Sequence, residues 1–453
     1  MTLGREPGPE RPGPSSAGLV WRRTIILLLA TAIVGVPAGV LRALCAGRSC
    51  ETPTEASAQV PFCSLPKEFR SRLAAGFREG RSPEVFGVTG STAVRGHSGP
   101  GALVWPSSRE DDSVAGLAFW GSGIEGGAEI PSGTTLDAVA PTLAEVIALE
   151  RPHPEVRSGE AIPGVVSDAA PPRLVILAVV ESALGEPDES TSPWLDRVLS
   201  EGAVTFEGDS GALPLDPAAT MTSIGTGGRP REHGITGATI RNDDGELVRA
   251  WGRGAPPSVI ATLADDLDDQ LGGRPRIGMV ATDPTERGLI GGNWYVEADQ
   301  DDFTMARTPP KAARAAIDLI RSGYGDDDVV DLLGIVMRGD LEEVDAALAD
   351  VHEAALAAAA DSVTVAIVAV DGASLESPSV SWRRVARSVE RSVGATVVEG
   401  AAAGGLFTDQ EVLAQKEIPE ETIVDAMKSL RIDGQGLFVD VFSAISISFE
   451  RYC

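Results

Sequence analysis

The sequence predicts an α/β protein with a doubly wound, mostly parallel sheet that helices cover on both faces. Two apolar runs without alternating polar residues, RLVILAVVES (173–182) and SVTVAIVAVDG (362–372), are typical of parallel strands buried on both faces. Amphipathic helical segments alternate with strands along the chain, as in doubly wound folds. Hydrophobic residues make up 43% of the 453 residues, so the chain can bury a large core.

The other elements follow from local periodicity. Residues 83–90 (PEVFGVTG) and 114–121 (VAGLAFWG) are predicted as strands, and TLAEVIAL (142–149) as a helix. Near the two ends of this region, LPKEFRSRLAAGF is helix-like and GLFVDVFSAISISF (436–449) is strand-like. Four later segments have helical patterns: SPWLDRVLSEG, SVIATLADDLDDQL, PKAARAAIDLIRSG and LEEVDAALADVHEAALAAAAD.

The charge balance excludes one class of partner. The formal net charge is −28, whereas a sequence-independent grip on nucleic acid needs a basic face that replaces phosphate counterions. No nucleic-acid partner is therefore expected. Three acidic clusters are predicted as solvated surface, with a weak calcium site as the alternative: Asp265-Asp266, Asp301-Asp302 and Asp326-Asp327-Asp328.

An apolar segment lies near the amino terminus. Residues 24–41 carry no charge for eighteen residues, which is just long enough to cross a bilayer. Four arginines precede this run and two follow it closely, so the positive-inside rule places the amino terminus in the cytoplasm. A cleaved signal peptide is the alternative, because two glycines and a proline interrupt the second half. Both interpretations export the main domain, with a single-pass protein of the cell membrane as the preferred one.

The predicted organisation follows from this segment. It comprises a cytoplasmic tail at 1–23, a transmembrane segment or signal anchor at 24–44, a linker at 45–66 and an ectodomain at 67–453. Within the ectodomain, the Pro/Ala/Ser-rich residues 159–172 are predicted as a second linker.

Chemistry is expected where the buried strands end. In open α/β sheets ligands bind beyond the carboxyl ends of the strands, where Glu181 and Asp371 stand here. Two carboxylates at neighbouring strand ends suit a divalent metal, and the alternative is that each caps the next helix. GSGIEG (121–126) matches GxGxxG after a strand, but 127–133 has a loop pattern where a dinucleotide fold needs a helix. No dinucleotide site is expected.

Several motifs resemble a known family. RLVILAVVES, SPWLDRVLSEGAVTFEG and TSIGTGGRPREHGITG (222–237) resemble the opening of the alkaline phosphatase superfamily, in its type I phosphodiesterase/nucleotide pyrophosphatase branch. GRSPEVFGVTGSTAVRGHSGPG (80–101), GLAFWGSGIEGGAEI and TLDAVAPTLAEVIALERPHPEVRSG resemble the closing stretch of that family. The resemblance therefore implies a circular permutation, in which 67–158 corresponds to the family's C-terminal part and 173–453 to its N-terminal part.

The resemblance implies only part of a two-metal phosphoesterase site. Glu181 stands where the family has its first metal-binding Asp, and Asp371 and His97 match two further ligands. The nucleophile position falls on Pro217, so Thr220 or Thr222 would have to replace it. These residues could hold at most one divalent ion, zinc or manganese. Glu181, Asp371 and His97 are expected to converge at the carboxyl edge of one sheet.

The remaining histidines are not expected to bind metal. His233 belongs to the "HGI" turn, which binds no metal in the family, and His153 lies in a loop between prolines. His352 on a helix face is interpreted as a solvated or core residue.

Two functions remain open after this comparison. The preferred one is a membrane-anchored extracytoplasmic protein whose phosphodiesterase-like domain has reduced or lost hydrolase activity. The alternative is an active metal-dependent phosphoester hydrolase with a reduced metal site. A small phosphoester or an envelope component would be the partner in either case, besides the membrane itself.

The permutation also implies how the chain ends are arranged. If the family order runs from residue 453 back to 67, the two ends of the ectodomain must be close, which implies a Cys63–Cys453 disulfide with Cys45 and Cys50 as the second pair. The first bond would stabilise the fold by on the order of 4–5 kcal/mol. Unpaired cysteines, or loss of Cys45 with a signal peptide, are the alternatives. The permutation further implies that 173–180 is central and that 83–90 lies in the same sheet.

Overall fold

A computed structural model describes residues 62–90, 94–95, 104–107, 114–181, 191–292, 294, 301–370, 380–432 and 434–453. All of them belong to one compact unit. Within these ranges, no helix combines the length and the apolar character needed to cross a bilayer. The predicted membrane segment at 24–44 and the cysteines Cys45 and Cys50 lie outside the described residues.

The described chain alternates strands and helices. The strands, numbered in chain order, are β1 (Val85–Thr89), β2 (Val94–Arg95), β3 (Val104–Trp105), β4 (Val114–Gly121), β5 (Leu174–Val180), β6 (Ala203–Asp209), β7 (Thr239–Arg241), β8 (Leu247–Arg249), β9 (Ile277–Ala281), β10 (Asp302–Met305), β11 (Asp331–Met337), β12 (Val363–Val370), β13 (Val398–Ala402), β14 (Gly405–Thr408), β15 (Arg431–Ile432), β16 (Gln435–Gly436) and β17 (Phe438–Ser443).

The helices mostly lie between strands that are consecutive along the chain. They are α1 (Lys67–Gly76), α2 (Val139–Val146), α3 (Pro193–Glu201), α4 (Pro217–Thr226), α5 (Pro230–His233), α6 (Leu263–Leu271), α7 (Pro309–Arg321), α8 (Leu341–Ala358), α9 (Trp382–Val393), α10 (Gln410–Gln415), α11 (Glu420–Lys428) and α12 (Ala444–Ser448). Short 3₁₀ turns lie at Phe62–Ser64, Leu136–Ala138, Pro154–Val156, Pro284–Leu289 and Glu450–Tyr452.

The larger of the two main sheets has seven strands in the order β10-β9-β11-β5-β12-β4-β6. The first five strands run parallel to one another, and β4 is antiparallel to both of its neighbours. β5 occupies the middle of the sheet and every one of its residues is buried. The prediction that 173–180 is a central strand is therefore confirmed.

Helices pack on both faces of this sheet. Val175, Leu177 and Val179 of β5 face a core that α2, α4 and α6 complete. Leu174, Ile176 and Ala178 face the opposite core, which α3, α7 and α8 complete. Because neither face of β5 meets water, its sequence is a continuous apolar run. The mixed α/β architecture with a mostly parallel sheet agrees with the predicted fold class.

The second sheet is smaller and wholly antiparallel, with the order β13-β14-β1-β17. The prediction that 83–90 joins the large sheet is wrong, because β1 pairs with β14 and β17 instead. Strand β1 is buried along its whole length, so its sequence predicts a strand without specifying its partners. The strand-like segment 436–449 is also shorter than expected: β17 ends at Ser443, where α12 follows it.

The two ends of the described chain meet beside this sheet. Cys63 and Cys453 form a disulfide with a Cα–Cα distance of 5.1 Å, although 390 residues separate them. Phe62 packs its ring 4.8 Å from that of Phe442 in β17. The predicted pairing of these cysteines is therefore confirmed.

Two of the three acidic clusters differ from the prediction, since the side chain of Asp301 is only 7% exposed and pairs with Arg287 at 2.9 Å. Asp265 and Asp266 are buried rather than solvated. Asp265 accepts a hydrogen bond from the backbone nitrogen of Thr262 and helps to cap α6, and Asp266 binds two arginines. The cluster Asp326-Asp327-Asp328 is exposed, as predicted.

Candidate functional site

The candidate site lies at the carboxyl edge of the large sheet. Strands β9, β11 and β5 are neighbours there, and each is followed by a charged side chain. Glu286 lies in the turn after β9, Arg338 directly follows β11, and Glu181 directly follows β5. Because parallel strands end at the same edge, these three side chains converge.

Arg338 links both carboxylates. Its Nη2 donates to Glu181 Oε1 at 2.6 Å and to Glu286 Oε1 at 2.7 Å, and its Nε lies 2.6 Å from Glu181 Oε2. Glu286 is fully buried, whereas Glu181 and Arg338 are each about a quarter exposed. Burial by itself lowers the pKa of Arg338, but the charges of Glu181 and Glu286 outweigh it and hold the pKa above its ordinary value.

Backbone donors complete the environment of Glu286. Its Oε2 accepts from the backbone nitrogens of Thr282 (2.7 Å) and Asp283 (3.1 Å), and its Oε1 accepts from Thr282 Oγ1 (2.6 Å). Asp283 in turn caps the following turn through Thr285 and pairs with Arg249 at 2.7 Å. Burial opposes ionisation of Asp283, yet these hydrogen bonds and Arg249 hold its pKa below the ordinary value.

A further carboxyl group lies at the start of α4. Asp216 is the N-cap of this helix, where its Oδ1 accepts from the backbone nitrogen of Ala218 at 2.9 Å. Burial raises the pKa of Asp216 to about 6, and the charge of Asp283 adds to the effect. The edge therefore has more carboxyl groups than arginines among the described residues.

The two predicted nucleophiles lie on α4 in different environments. Thr222 is fully buried and its hydroxyl donates to the carbonyl of Ala218 at 2.7 Å. Gly288 of the neighbouring turn packs so closely that a Cβ there would lie 2.0 Å from Thr222 Oγ1. Thr220 is half-buried on the same helix, and Pro217 is its first residue. Thr220 is therefore the less enclosed of the two.

The predicted metal ligands are only partly within the described structure. Asp371 and His97 lie outside the described residues. Glu181 is described, and the guanidinium of Arg338 lies against both of its carboxylate oxygens. Across the described ranges, no group of three histidine, cysteine, aspartate or glutamate side chains is arranged to hold a metal ion. The described part of the edge therefore does not fit the zinc or manganese ion that the resemblance implies.

His233 has a structural role. Its Nδ1 accepts from the backbone nitrogen of Ile235 at 3.2 Å, so Nε2 must carry the proton and donate to Ser223 Oγ at 3.0 Å. Burial, with Arg78 nearby, lowers the pKa of His233 to about 3. A ring that donates to Ser223 cannot accept its proton, which excludes a Ser–His nucleophile in this tautomer.

The other two described histidines also match their predicted roles. His352 is 8% exposed and packs 4.8 Å from Trp120 and 5.7 Å from Trp194, so it is a core residue of the second face. His153 is exposed and lies 3.3 Å from Glu155 Oε1.

Sequence reasoning missed Arg338 and Glu286 because it did not predict the strands before them. Residues 277–281 and 332–337 have the same unbroken apolar character as β5, and each run is followed by polar residues. If every unbroken apolar run were treated as a buried strand, the residues after both runs would be candidates for the site.

Comparison of the chain with protein-family models, with curated proteins and with solved structures gives no match.

Proposed function

We propose that this chain is a membrane-anchored extracytoplasmic protein whose phosphodiesterase-like domain has lost most or all hydrolase activity and serves to bind an envelope component. The motif resemblance supports the fold relationship, and the apolar residues 24–41 support the anchor. A fold does not fix an activity, so the argument for lost activity rests on the site.

One observation carries this proposal: the guanidinium of Arg338 contacts both carboxylate oxygens of Glu181 at the end of the central strand. A catalytic metal needs open coordination positions, lowers the pKa of bound water and stabilises charge on the reacting oxygens. A guanidinium neutralises carboxylates but has no open coordination position and does not activate water. Arg338 thus supplies the positive charge that these carboxylates require without supplying metal chemistry.

The second support comes from α4. The position that matches the nucleophile of the family that this chain resembles is Pro217, the first residue of this helix, which has no hydroxyl group. Thr222, one of the two candidate replacements, is enclosed and its proton is committed to Ala218. Nucleophilic attack would require that this helix turn open.

Metal content and turnover test the proposal. The full-length chain, purified in detergent, is analysed for zinc and manganese and assayed with bis(4-nitrophenyl) phosphate and 4-nitrophenyl phosphate. We expect no stoichiometric metal and the same background rate for the wild type and for Asp371→Ala. The matched control is Asp327→Ala, which removes an exposed carboxylate.

The opposite result would establish the active hydrolase instead. It would consist of one equivalent of zinc or manganese, with turnover that Asp371→Ala abolishes and Asp327→Ala leaves intact. Loss of turnover in Thr220→Ala but not in Thr222→Val would then identify the nucleophile.

A further inference from the structure

The C-terminal segment exposes an unusual amount of apolar surface. Ile445, Phe449 and Tyr452 are 62%, 53% and 68% exposed, and they are the three most exposed large hydrophobic residues of the described chain. The other exposed large hydrophobic residues reach at most 47% and come from separate segments. Single exposed apolar residues are ordinary, whereas a contiguous group marks a contact surface. We call these three residues the C-terminal apolar face.

The spacing of the three residues places them on one side of the segment. Steps of four and three residues carry Ile445, Phe449 and Tyr452 along one side of α12 and the following turn. Ile447, on the other side, is 2% exposed and packs into the core beside the small sheet. The rings of Phe449 and Tyr452 lie 5.7 Å apart, and the guanidinium of Arg451 lies 4.9 Å from the ring of Tyr452. The face thus combines apolar side chains with a phenol and a cation at one end.

Its position in the chain is also informative. Cys453 follows the face directly and its disulfide to Cys63 fixes it beside the residue where the described chain begins. Twenty residues separate Leu41, at the end of the uncharged run, from Phe62. Such a connection reaches at most roughly 70 Å when fully extended. Wherever the anchor enters the bilayer, the C-terminal apolar face is covalently held at the end of the connecting chain.

We infer that the C-terminal apolar face rests on the outer surface of the bilayer in which the chain is anchored. Aromatic rings with a polar end favour the headgroup region, and an arginine beside them can bind lipid phosphate. The inference rests on the proposed membrane anchor and adds to it a second contact. That contact fixes which side of the domain faces the membrane, and so directs the carboxyl edge of the large sheet at a constant angle to it.

Tryptophan quenching in vesicles tests this contact. Full-length Tyr452→Trp is reconstituted into phosphatidylcholine and phosphatidylglycerol vesicles whose acyl chains carry bromine near the headgroup. The emission added by the new tryptophan is obtained by subtracting that of the unsubstituted chain. We expect this added emission to be quenched by brominated lipid, and that of the control Val156→Trp, at a residue 45% exposed in the turn Pro154–Val156, to stay unchanged. Phe449→Trp provides an independent second position.

Trp21 separates failure of this inference from failure of the anchor, because it lies directly before the uncharged run. Its contribution is the emission lost in Trp21→Phe. Quenching of Trp21 without quenching at positions 452 and 449 would overturn the surface contact and leave the anchor standing. Absence of quenching at all three positions would overturn the anchor as well. A dimer that Tyr452→Ser dissociates in detergent would assign the face to a second copy of the chain and overturn the bilayer contact.

Discussion

Two networks of ion pairs in this fold differ in composition: one has two arginines on one carboxylate, and the other has one arginine on two carboxylates. In the first, which we call the clamp, Arg151 and Arg157 converge on Asp266 at 2.7 Å and 3.0 Å. In the second, the edge network, Arg338 binds both Glu181 and Glu286. The clamp is almost entirely enclosed, whereas the edge network is partly open to water at Arg338 and Glu181.

The arginines of the two networks differ in their other partners and in their pKa. Both clamp arginines donate to the carbonyl of Thr226, and Arg151 also donates to that of Ala261, so the clamp joins the segment before residue 159 to the rest of the fold. Burial and the neighbouring charge of Arg157 lower the pKa of Arg151 to about 10, whereas the pKa of Arg338 is raised. In the clamp the surplus cations are held by carbonyl groups, whereas at the edge one guanidinium is shared by two carboxylates, one of which is partly open to water.

The largest effect is expected in the clamp. Asp266→Asn leaves two buried arginines without their shared carboxylate, and the free energy of unfolding should fall by about 3–5 kcal/mol. Chemical denaturation of the full chain measures it. Asp328→Asn, which removes the exposed partner of Arg173, is the control and should leave the midpoint unchanged. A small effect of Asp266→Asn would mean that the carbonyl hydrogen bonds alone hold the clamp.

The edge network should respond less strongly to loss of its arginine. Arg338→Gln leaves the buried carboxylate of Glu286 with only its backbone and hydroxyl donors, and we expect a loss of about 2–4 kcal/mol. Denaturation in the presence and absence of zinc measures both the loss and any gain in cation binding at the freed carboxylates.

Glu181→Gln distinguishes an edge site from a second clamp. It leaves Arg338 paired with Glu286 and should cost clearly less than Arg338→Gln. An equal cost would show that the edge network is as purely structural as the clamp.

The buried carboxyl group of Asp216 should make the stability of the protein depend on pH. The pKa of Asp216 is about 6 in the folded protein and 3.8 when unperturbed, so the folded state binds this proton more tightly and stability falls as the pH rises between these values. Asp216→Asn keeps a helix cap and removes this pH dependence. The change in the free energy of unfolding that it removes is on the order of 2–3 kcal/mol. Denaturation at several pH values between about 4 and 7 measures it.

Asp283→Asn tests whether the edge charge contributes to that slope. It should move the Asp216-dependent part of the slope to lower pH. Asp331 is the matched comparison, because burial likewise raises its pKa to about 6 but it begins β11, at the amino end of the strand that Arg338 follows. An Asp216 slope that does not move in Asp283→Asn would attribute the shift to burial alone.

The smallest effect is expected at the rim of the edge network. Arg249 is 63% exposed where it pairs with Asp283, so Arg249→Gln should lower stability by only about 0.5 kcal/mol. The difference should disappear at high salt, because exposed charges are screened. A larger, salt-independent loss would place Arg249 in the buried part of the network.

Local sequence patterns predicted three of the seven strands of the large sheet, β4, β5 and β12. The apolar run at 173–182 predicts a buried parallel strand, and the observed β5 covers Leu174–Val180. The strand at 114–121 agrees to the residue with β4. Periodicity works here because a side chain's position in a strand or helix decides which face it occupies.

The same local patterns did not predict which strands pair with each other or which charged side chains are buried. Nothing local distinguishes β1 from a strand of the large sheet, since its partners β14 and β17 are more than three hundred residues away. Asp265 and Asp266 have the composition of a surface cluster. Arg151 and Arg157, which come from another segment, offset the free-energy cost of burying Asp266.

The sequence by itself determined the α/β class, the central strand and, through the implied permutation, the Cys63–Cys453 pair. Only the tertiary structure decided that Glu181 meets Arg338 and that Glu286 joins them. The physical reason is that apolar periodicity acts over one element, whereas an ion pair depends on which strand ends become neighbours after the sheet has formed.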